Sequence, residues 1–439
     1  MKKLLFLLTL LLLPMAASAD DVEIDHIYYE LHSDIRQAYV ISHPDKYSGD
    51  IVIPGSVEHG GSSYKVTQIN SVAFSDCSGL TSVFIPSSVT GIGDDCFQNC
   101  SSLASIVVEA GNPNFDSRDN CNAIINKNNN KLIVGCKNTV IPGSVTEIGE
   151  GAFTGSGITS VTIPGSVGSI GGDAFFKCTS LTSVTIPSSV TYIGGNPFDG
   201  CSSLASIVVE EGNPQFDSRD NCNAIIDKTY NLLLAGCKNT IIPSSVTIIG
   251  ESAFWGMTMT SIVIPASVTA ICDMAFCNCS ALTDVYCYAA DVPSTSYRAF
   301  LGSSYQTATL HVPAASVEKY KKANIWKDFG NIVGFYQCAK PTIAFANGKL
   351  TFGCETEGAE LVATISPTGS TTYQGSSLLI ADLTTTYRVS VYAKKDDWLN
   401  SETATLDIDY LPNLDDVNGD GQITIADAAG IVNIILGGK

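Results

Sequence analysis

AFFKCTSLTSVTIPSSVTYIG, residues 174–194, spaces its apolar side chains at intervals that the chain reproduces many times, and that recurrence decides the fold. Ile69, Ile92, Ile148, Ile170, Ile193, Ile249 and Ile271 are each followed five residues on by Phe74, Phe97, Phe153, Phe175, Phe198, Phe254 and Phe276. Eight residues on stand Cys77, Cys100, Ser156, Cys178, Cys201, Met257 and Cys279. An Ile-Pro pair lies seven residues before six of these isoleucines, from Ile85-Pro86 to Ile264-Pro265, and Ile53-Pro54 reads as an early copy.

Counting back from each pair gives a strand pattern of apolar-x-x-apolar-x-apolar, with Thr139 and Thr240 as polar exceptions in the middle. The starts fall at 80, 103, 136, 158, 181, 204, 237, 259 and 282, spaced by 22 or 23 residues apart from two gaps of 33. Four units form a block of 101 residues, and residues 99–153 match 200–254 at about three-quarters of positions, which marks an internal duplication. No unit of this size can bury its apolar face alone, so units must stack coil on coil around a shared core. Proline after six of the nine strands removes a ladder donor and turns the chain; the strands starting at 103, 204 and 282 fit without it. Nine or ten coils at about 4.8 Å each predict a rod of roughly 45–50 Å.

Runs such as LTSVTIPSSVTYIG (181–194) and AFFKCTSLTSVTIP (174–187) resemble the BspA-type leucine-rich repeats of Bacteroidales surface proteins, over about residues 36–335. That resemblance implies adhesion to host matrix proteins and to other bacteria. The expected fold is mostly β: a leucine-rich-repeat solenoid with parallel strands, then a small β-sandwich and a short calcium loop-helix. Its expected organisation is a signal peptide (1–19), an N-terminal β cap (20–66), the solenoid with a C-terminal helical cap (67–335), the sandwich (336–412) and a single dockerin-like calcium-binding repeat (413–439).

Lys2 and Lys3, the apolar run Leu4–Leu13 and Ala17-Ser18-Ala19 have the layout of a secretory signal. The run is too short to span a bilayer and no later segment is longer, so no membrane span is expected. Losing the two lysines takes the net charge from -19 to -21, which argues against nucleic-acid partners. The fifteen cysteines are odd in number and most recur at one repeat position, which favours stacked buried thiols. In the long units, Cys121 with Cys136 and Cys222 with Cys237 bracket hairpin-like sequences, so a disulfide in each is the alternative.

Before the repeats, Ile27-Tyr28-Tyr29, Tyr39-Val40-Ile41 and Ile51-Val52-Ile53 predict capping strands; after them, Ala314–Phe329 predicts a capping helix. From Cys338 to Pro412 threonine-rich alternation, with an Asn347-Gly348 turn, predicts the sandwich. Trp398 reads as packing more readily than as a sugar platform. Residues 416–427, DVNGDGQITIAD, place oxygen donors at Asp416, Asn418, Asp420, Thr424 and Asp427, with the Gln422 backbone carbonyl as a sixth. Gly421 permits the sharp bend such a loop needs, so the expected cofactor is calcium. Aspartate at the last position resembles a dockerin; dockerins usually carry two such loops, which puts docking to a cohesin in doubt.

No catalytic constellation emerges. The five histidines form no metal-binding pair, and neither a phosphate loop nor a Gly-x-Ser-x-Gly elbow appears. Asp116, Asp119, Asp217 and Asp220 recur as FDSRDN in the long units, where a loop-stabilising role outweighs glycosidase chemistry. The outward strand residues, among them Ser82, Phe84, Ser105, Val107, Thr162, Thr185, Val208, Val263 and Tyr286, are mostly small and neutral and suit an extended ligand. The reading is therefore a non-enzymatic, secreted or cell-surface binding protein whose partner is a host-matrix or bacterial surface protein. The alternative is a carbohydrate-binding or assembly component of a polysaccharide-degrading system.

Overall fold

A computed structural model describes residues 20–346, 349–366, 369–371, 377–379, 387–395, 398, 400–401 and 403–408. The expected signal peptide, the Asn347-Gly348 turn and the calcium loop at 416–427 lie outside the described residues. The fold is mostly β, with 36% strand and 4% helix, and the repeats wind a parallel solenoid of about 12 turns. Extra turns over the nine or ten counted in the sequence come from the ends. Gly49–Val52 already pairs parallel with Leu80–Ile85, and Phe300 stacks on Phe276 past the last counted repeat. Two compact units divide the chain: residues up to Leu310 with Lys319–Ile332, and His311–Glu318 with the residues from Val333 on.

In the first unit, Asp20–Ile24, Ile27–His32 and Gln37–Val40 form an antiparallel meander, and Gln37–Val40 then pairs parallel with Ser62–Ile69. Ile69 in turn pairs with Ile92, so the cap sheet runs straight into the coils. Two ladders follow. One holds the apolar-x-x-apolar-x-apolar strands: Leu80–Ile85 on Ser105–Val108, Ser183–Ile186 on Ser206–Val209, and Ser261–Ile264 on Asp284–Cys287. The other joins the repeat isoleucines in two-residue strands, Ile148 on Ile170 on Ile193 and Ile249 on Ile271. Those strands are too short for a period-two signal to reveal them in the sequence.

Between the ladders the core is stacked side chains. Phe74 lies on Phe97, Phe153 on Phe175 on Phe198, and Phe254 on Phe276 on Phe300, with ring centres 4.9–5.4 Å apart and planes within 13° of parallel. The rings are spaced by the coil pitch itself, and each stacked pair adds to the burial energy of its members. Four of the five repeat cysteines bond their thiols to the phenylalanine carbonyl one coil back: Cys100 to Phe74, Cys178 to Phe153, Cys201 to Phe175 and Cys279 to Phe254, at 3.0–3.1 Å. All fifteen cysteines are free thiols, and thirteen are buried. The reading of buried thiols therefore holds over that of Cys121–Cys136 and Cys222–Cys237 disulfides.

The long units interrupt both stacks. Each inserts an antiparallel hairpin, Ala123–Asn126 with Lys131–Gly135 and Ala224–Asp227 with Leu232–Gly236. Gly135 presses its bare Cα against the Phe153 ring, so close that an added Cβ would sit 2.1 Å from it, and Gly236 does the same at Phe254 at 2.2 Å. Backbone replaces a phenylalanine at those two levels. The strand ladder is also missing at 136–141, 158–163 and 237–242, where the pattern predicts strands. Thr139, the polar exception, accepts the Cys136 N–H at 2.7 Å and donates to the Asn122 carbonyl at 2.7 Å. This local turn takes the backbone out of the ladder, and Thr240 repeats it in the second copy. Residues 158–163 form no strand either; Thr182 still bonds the Thr159 carbonyl through its N–H and its hydroxyl, and Ile158 and Ile163 stay buried.

The C-terminal cap is not one helix. Ala314–Ser316 and Trp326–Asp328 are single 3-10 turns around the short α-helix Val317–Tyr320, and Ile325 has φ +71°. Both aromatic rings must reach the last coil, which a continuous helix does not permit. Tyr320 donates its hydroxyl to the Ala289 carbonyl at 2.8 Å, and Trp326 donates Nε1–H to Thr295 Oγ1 at 3.0 Å.

In the second unit two antiparallel sheets face one core. Thr342–Ala346, Lys349–Gly353 and Ser377–Leu379 form one, and Gly369–Thr371, Glu360–Ser366, Tyr387–Lys394 and Ala404–Ile408 the other. Leu350, Phe352, Ala363, Val389, Val391 and Ile408 meet between them. Ala346 pairs with Lys349, the register that a two-residue connection gives.

Candidate interaction surface

Strand alternation sends every second residue of the strand ladder outward. The register aligns these residues from coil to coil: Val52 with Phe84, Phe84 with Val107, Thr185 with Val208, and Val263 with Tyr286. Their repeat equivalents in the unpaired units are Val140, Thr162 and Ile241. The row is apolar or β-branched throughout, and Val140 and Ile241 stand 71% and 73% exposed. A surface row of this length is more apolar than solubility alone requires. The sequence reading included most of the row but missed Val52, Val140 and Ile241. Their signal was available, since each directly precedes an isoleucine that is followed by proline.

Charges beside the row serve the coils. Asp50 accepts the Thr81 and Ser82 hydroxyls at 2.7 and 2.6 Å, which hold its carboxyl below the usual range. Glu109 accepts the Ser87 N–H at 2.6 Å, and Glu210 accepts Ser188 N–H at 2.9 Å. At Val208 the row borders a groove of about 630 Å³ lined by Glu210, Glu211, Arg219, Asp220 and Lys228. A second recess, of about 510 Å³, opens where the first phenylalanine stack ends, with Asp94, Asp95, Glu150 and Lys131 around Phe97 and Gly135.

The FDSRDN acids fall into a structural role. Asp116 pairs with Arg118 at 2.8 Å, and Arg118 goes on to Asn130 and Ser144; Asp217 and Arg219 repeat this with Asn231 and Ser245. Asp119 and Asp220 occupy left-handed backbone positions at φ 59° and 58°. Asn112 and Asn213, which the sequence did not single out, anchor the same loops. Each is buried, donates to two carbonyls of the preceding coil (Pro86 and Val89, or Pro187 and Val190), and accepts two local N–H groups. Among the described residues no group of three or more His, Cys, Asp or Glu side chains is placed to hold a metal. Trp398 is engaged by Tyr336, stacked at 5.2 Å, and by Lys395 Nζ, 4.6 Å from the ring centre, which fits packing. No described helix is long and apolar enough to cross a membrane.

With coils, rows and long units in place, the chain belongs to the BspA type leucine rich repeat region family, whose model matches in six copies over residues 58–133, 123–223 and 220–324. No curated protein matches it. Among solved structures it is similar to a leucine rich cell surface protein from Faecalibacterium prausnitzii, at 24% identity and TM-score 0.43 over 72% of this chain and 94% of that one. It is also similar to the pneumococcal vaccine antigen PcpA, at 16% identity and TM-score 0.32 over 72% and 98%. A leucine-rich repeat protein from Bacteroides ovatus matches at 20% identity and TM-score 0.29 over 71% and 88%.

Proposed function

We propose that the chain is a secreted or cell-surface adhesion protein that binds a protein ligand on the outward strand row of its solenoid. The observation that supports this is the row itself: Val52, Phe84, Val107 and Val140, then Val208, Ile241 and Val263, form two apolar stretches separated by Thr162 and Thr185, where the fold does not need them. Family membership points the same way, since such repeats are protein-binding scaffolds. Apolar anchors within a polar rim are the usual energetic centre of a protein interface. The test is binding to immobilised host-matrix and bacterial surface proteins by the full chain and by a Val107→Asp/Val140→Asp/Val208→Asp variant. A loss of binding of tenfold or more at unchanged melting temperature supports the reading; equal binding by the variant refutes it.

The sequence DVNGDGQITIAD favours a second element, a calcium-binding C-terminal repeat with Asp416, Asn418, Asp420, Gln422, Thr424 and Asp427 as ligands. It motivates the alternative role in a polysaccharide-degrading assembly. Isothermal titration with calcium should show one site that Asp416→Ala/Asp420→Ala abolishes; no heat in the parent chain would remove the proposal.

A further inference from the structure

The strand ladder is not continuous along the solenoid. Ser206–Val209 pairs with Ser183–Ile186 on one side and, among the described residues, with no strand on the other. In the next coil Lys238 N–H still reaches the Leu204 carbonyl at 3.2 Å, but the Thr240 turn then diverts that chain, and Ile241 N–H goes to the Cys222 carbonyl instead. At the end of the open edge Val209 N–H is taken by a side chain, Ser218 Oγ, at 2.9 Å. A strand bonded on one side only presents backbone donors and acceptors along the other, a template for an added strand. The groove of about 630 Å³ lies along this edge, lined by residues 207–212 and by the loop 216–221.

Charge decides what such an edge admits. Four carboxylates, Glu210, Glu211, Asp217 and Asp220, line the groove against Arg219 and Lys228. Both cations are committed, Arg219 to Asp217, Asn231 and Ser245, and Lys228 to the Asn213 carbonyl. Glu211 and Asp220 are exposed. With a net charge of -19 on the chain, a second copy of it is repelled from this edge and a basic segment is attracted.

We infer that the Ser206–Val209 edge takes up an extended, lysine- or arginine-bearing segment of another protein as an added strand. This rests on the protein-binding reading above and gives the ligand a backbone grip where Val208 also offers an exposed apolar side chain. Main-chain bonds supply the affinity in such pairings and alternate side chains supply the choice of partner. Here the basic side chains meet Glu211 and Asp220. The internal duplication repeats the edge at Ser105–Val108, which pairs only with Leu80–Ile85 and ties Val108 N–H to Ser117 Oγ. Ala110 stands there where the second copy has Glu211, so the second edge is the stronger site for a basic segment.

The test is fluorescence anisotropy of the full chain with three labelled hexapeptides. One alternates valine and lysine, one has glutamate for lysine, and one is the valine–lysine peptide N-methylated at every residue, which keeps its charge and loses its strand donors. The valine–lysine peptide should bind, the glutamate peptide should not, and N-methylation should weaken binding about tenfold. Glu211→Lys/Asp220→Lys should weaken it about fivefold or more. Val52→Asp/Val263→Asp, which spoils the outward row away from the groove, should leave it within about twofold. No binding of the valine–lysine peptide, equal binding of the methylated one, or no effect of the charge reversal overturns the inference, and none of these outcomes touches the row, which its own variant tests. Concentration-dependent dimerisation of the parent chain in sedimentation, competed by the valine–lysine peptide, would give the edge to a second copy and overturn the inference as well.

Discussion

At the scale of single residues, small departures from the repeat carry the specificity. Gly135 exists because the Phe153 ring occupies the space a Cβ would need, whereas Gly143 has nothing within 4 Å of the same position. Gly135→Ala is expected to cost about 3 kcal/mol through overpacking, and Gly143→Ala to stay within about 0.5 kcal/mol, in denaturant titrations. Asp199 is the other informative residue. It is buried, and burial, more than the nearby Asp173 and Glu251 charges, raises its carboxyl to about 8 against the bond from Ser252. The folded chain thus holds a proton that the unfolded chain releases near pH 4, so this site favours folding in acid and loses that contribution as pH climbs toward 8. Asp199→Asn should match the parent at pH 4 and exceed it at pH 9 by on the order of 5 kcal/mol. Parallel loss of stability in both proteins across that range would show that Asp199 is not the cause.

Elements are where the repeat pattern and the folded chain part company. Thr139 occupies an apolar place in the strand pattern, and a reading by hydrophobicity alone would replace it with valine to repair the ladder. The hydroxyl instead closes a turn with the buried Cys136 N–H and the half-buried Asn122 carbonyl of the first long unit. Thr139→Val should therefore destabilise by about 1–3 kcal/mol, with Thr139→Ser costing less because the bonds survive. Equal or greater stability of the valine variant, measured by thermal melting, would mean that the coil prefers the continuous ladder. The hairpins carry their own local ties, Asp116 to Arg118 and Asp217 to Arg219, which explains how an insertion of ten or so residues recurs without unwinding the neighbouring coils.

For the whole molecule, a solenoid has nearest-neighbour stability, so its ends decide how it opens. Trp326 closes one end: it is fully buried, meets Tyr320 and Phe300 edge-on at 5.3 and 5.9 Å and lies against Phe329 at 5.8 Å. Trp326→Ala should cost about 3–5 kcal/mol in the last coils. Hydrogen exchange should quicken first at Asp284–Cys287 while Leu80–Ile85 keeps its protection; uniform acceleration would contradict stacked, locally coupled coils.

The period of isoleucine, phenylalanine and cysteine determined the solenoid, its parallel strands and its inward rows without help, because side-chain alternation and a fixed repeat leave one way to bury those residues together. Tertiary structure alone decided the interruptions. Gly135 standing in for a ring, Thr139 turning out of the ladder, and Ile325 breaking the terminal helix each depend on a group distant in sequence that the local pattern does not contain. The outward row lies between the two cases. Its residues are legible one by one, yet their alignment into one outward row requires the coil register that sets Val52 beside Phe84 and Phe84 beside Val107.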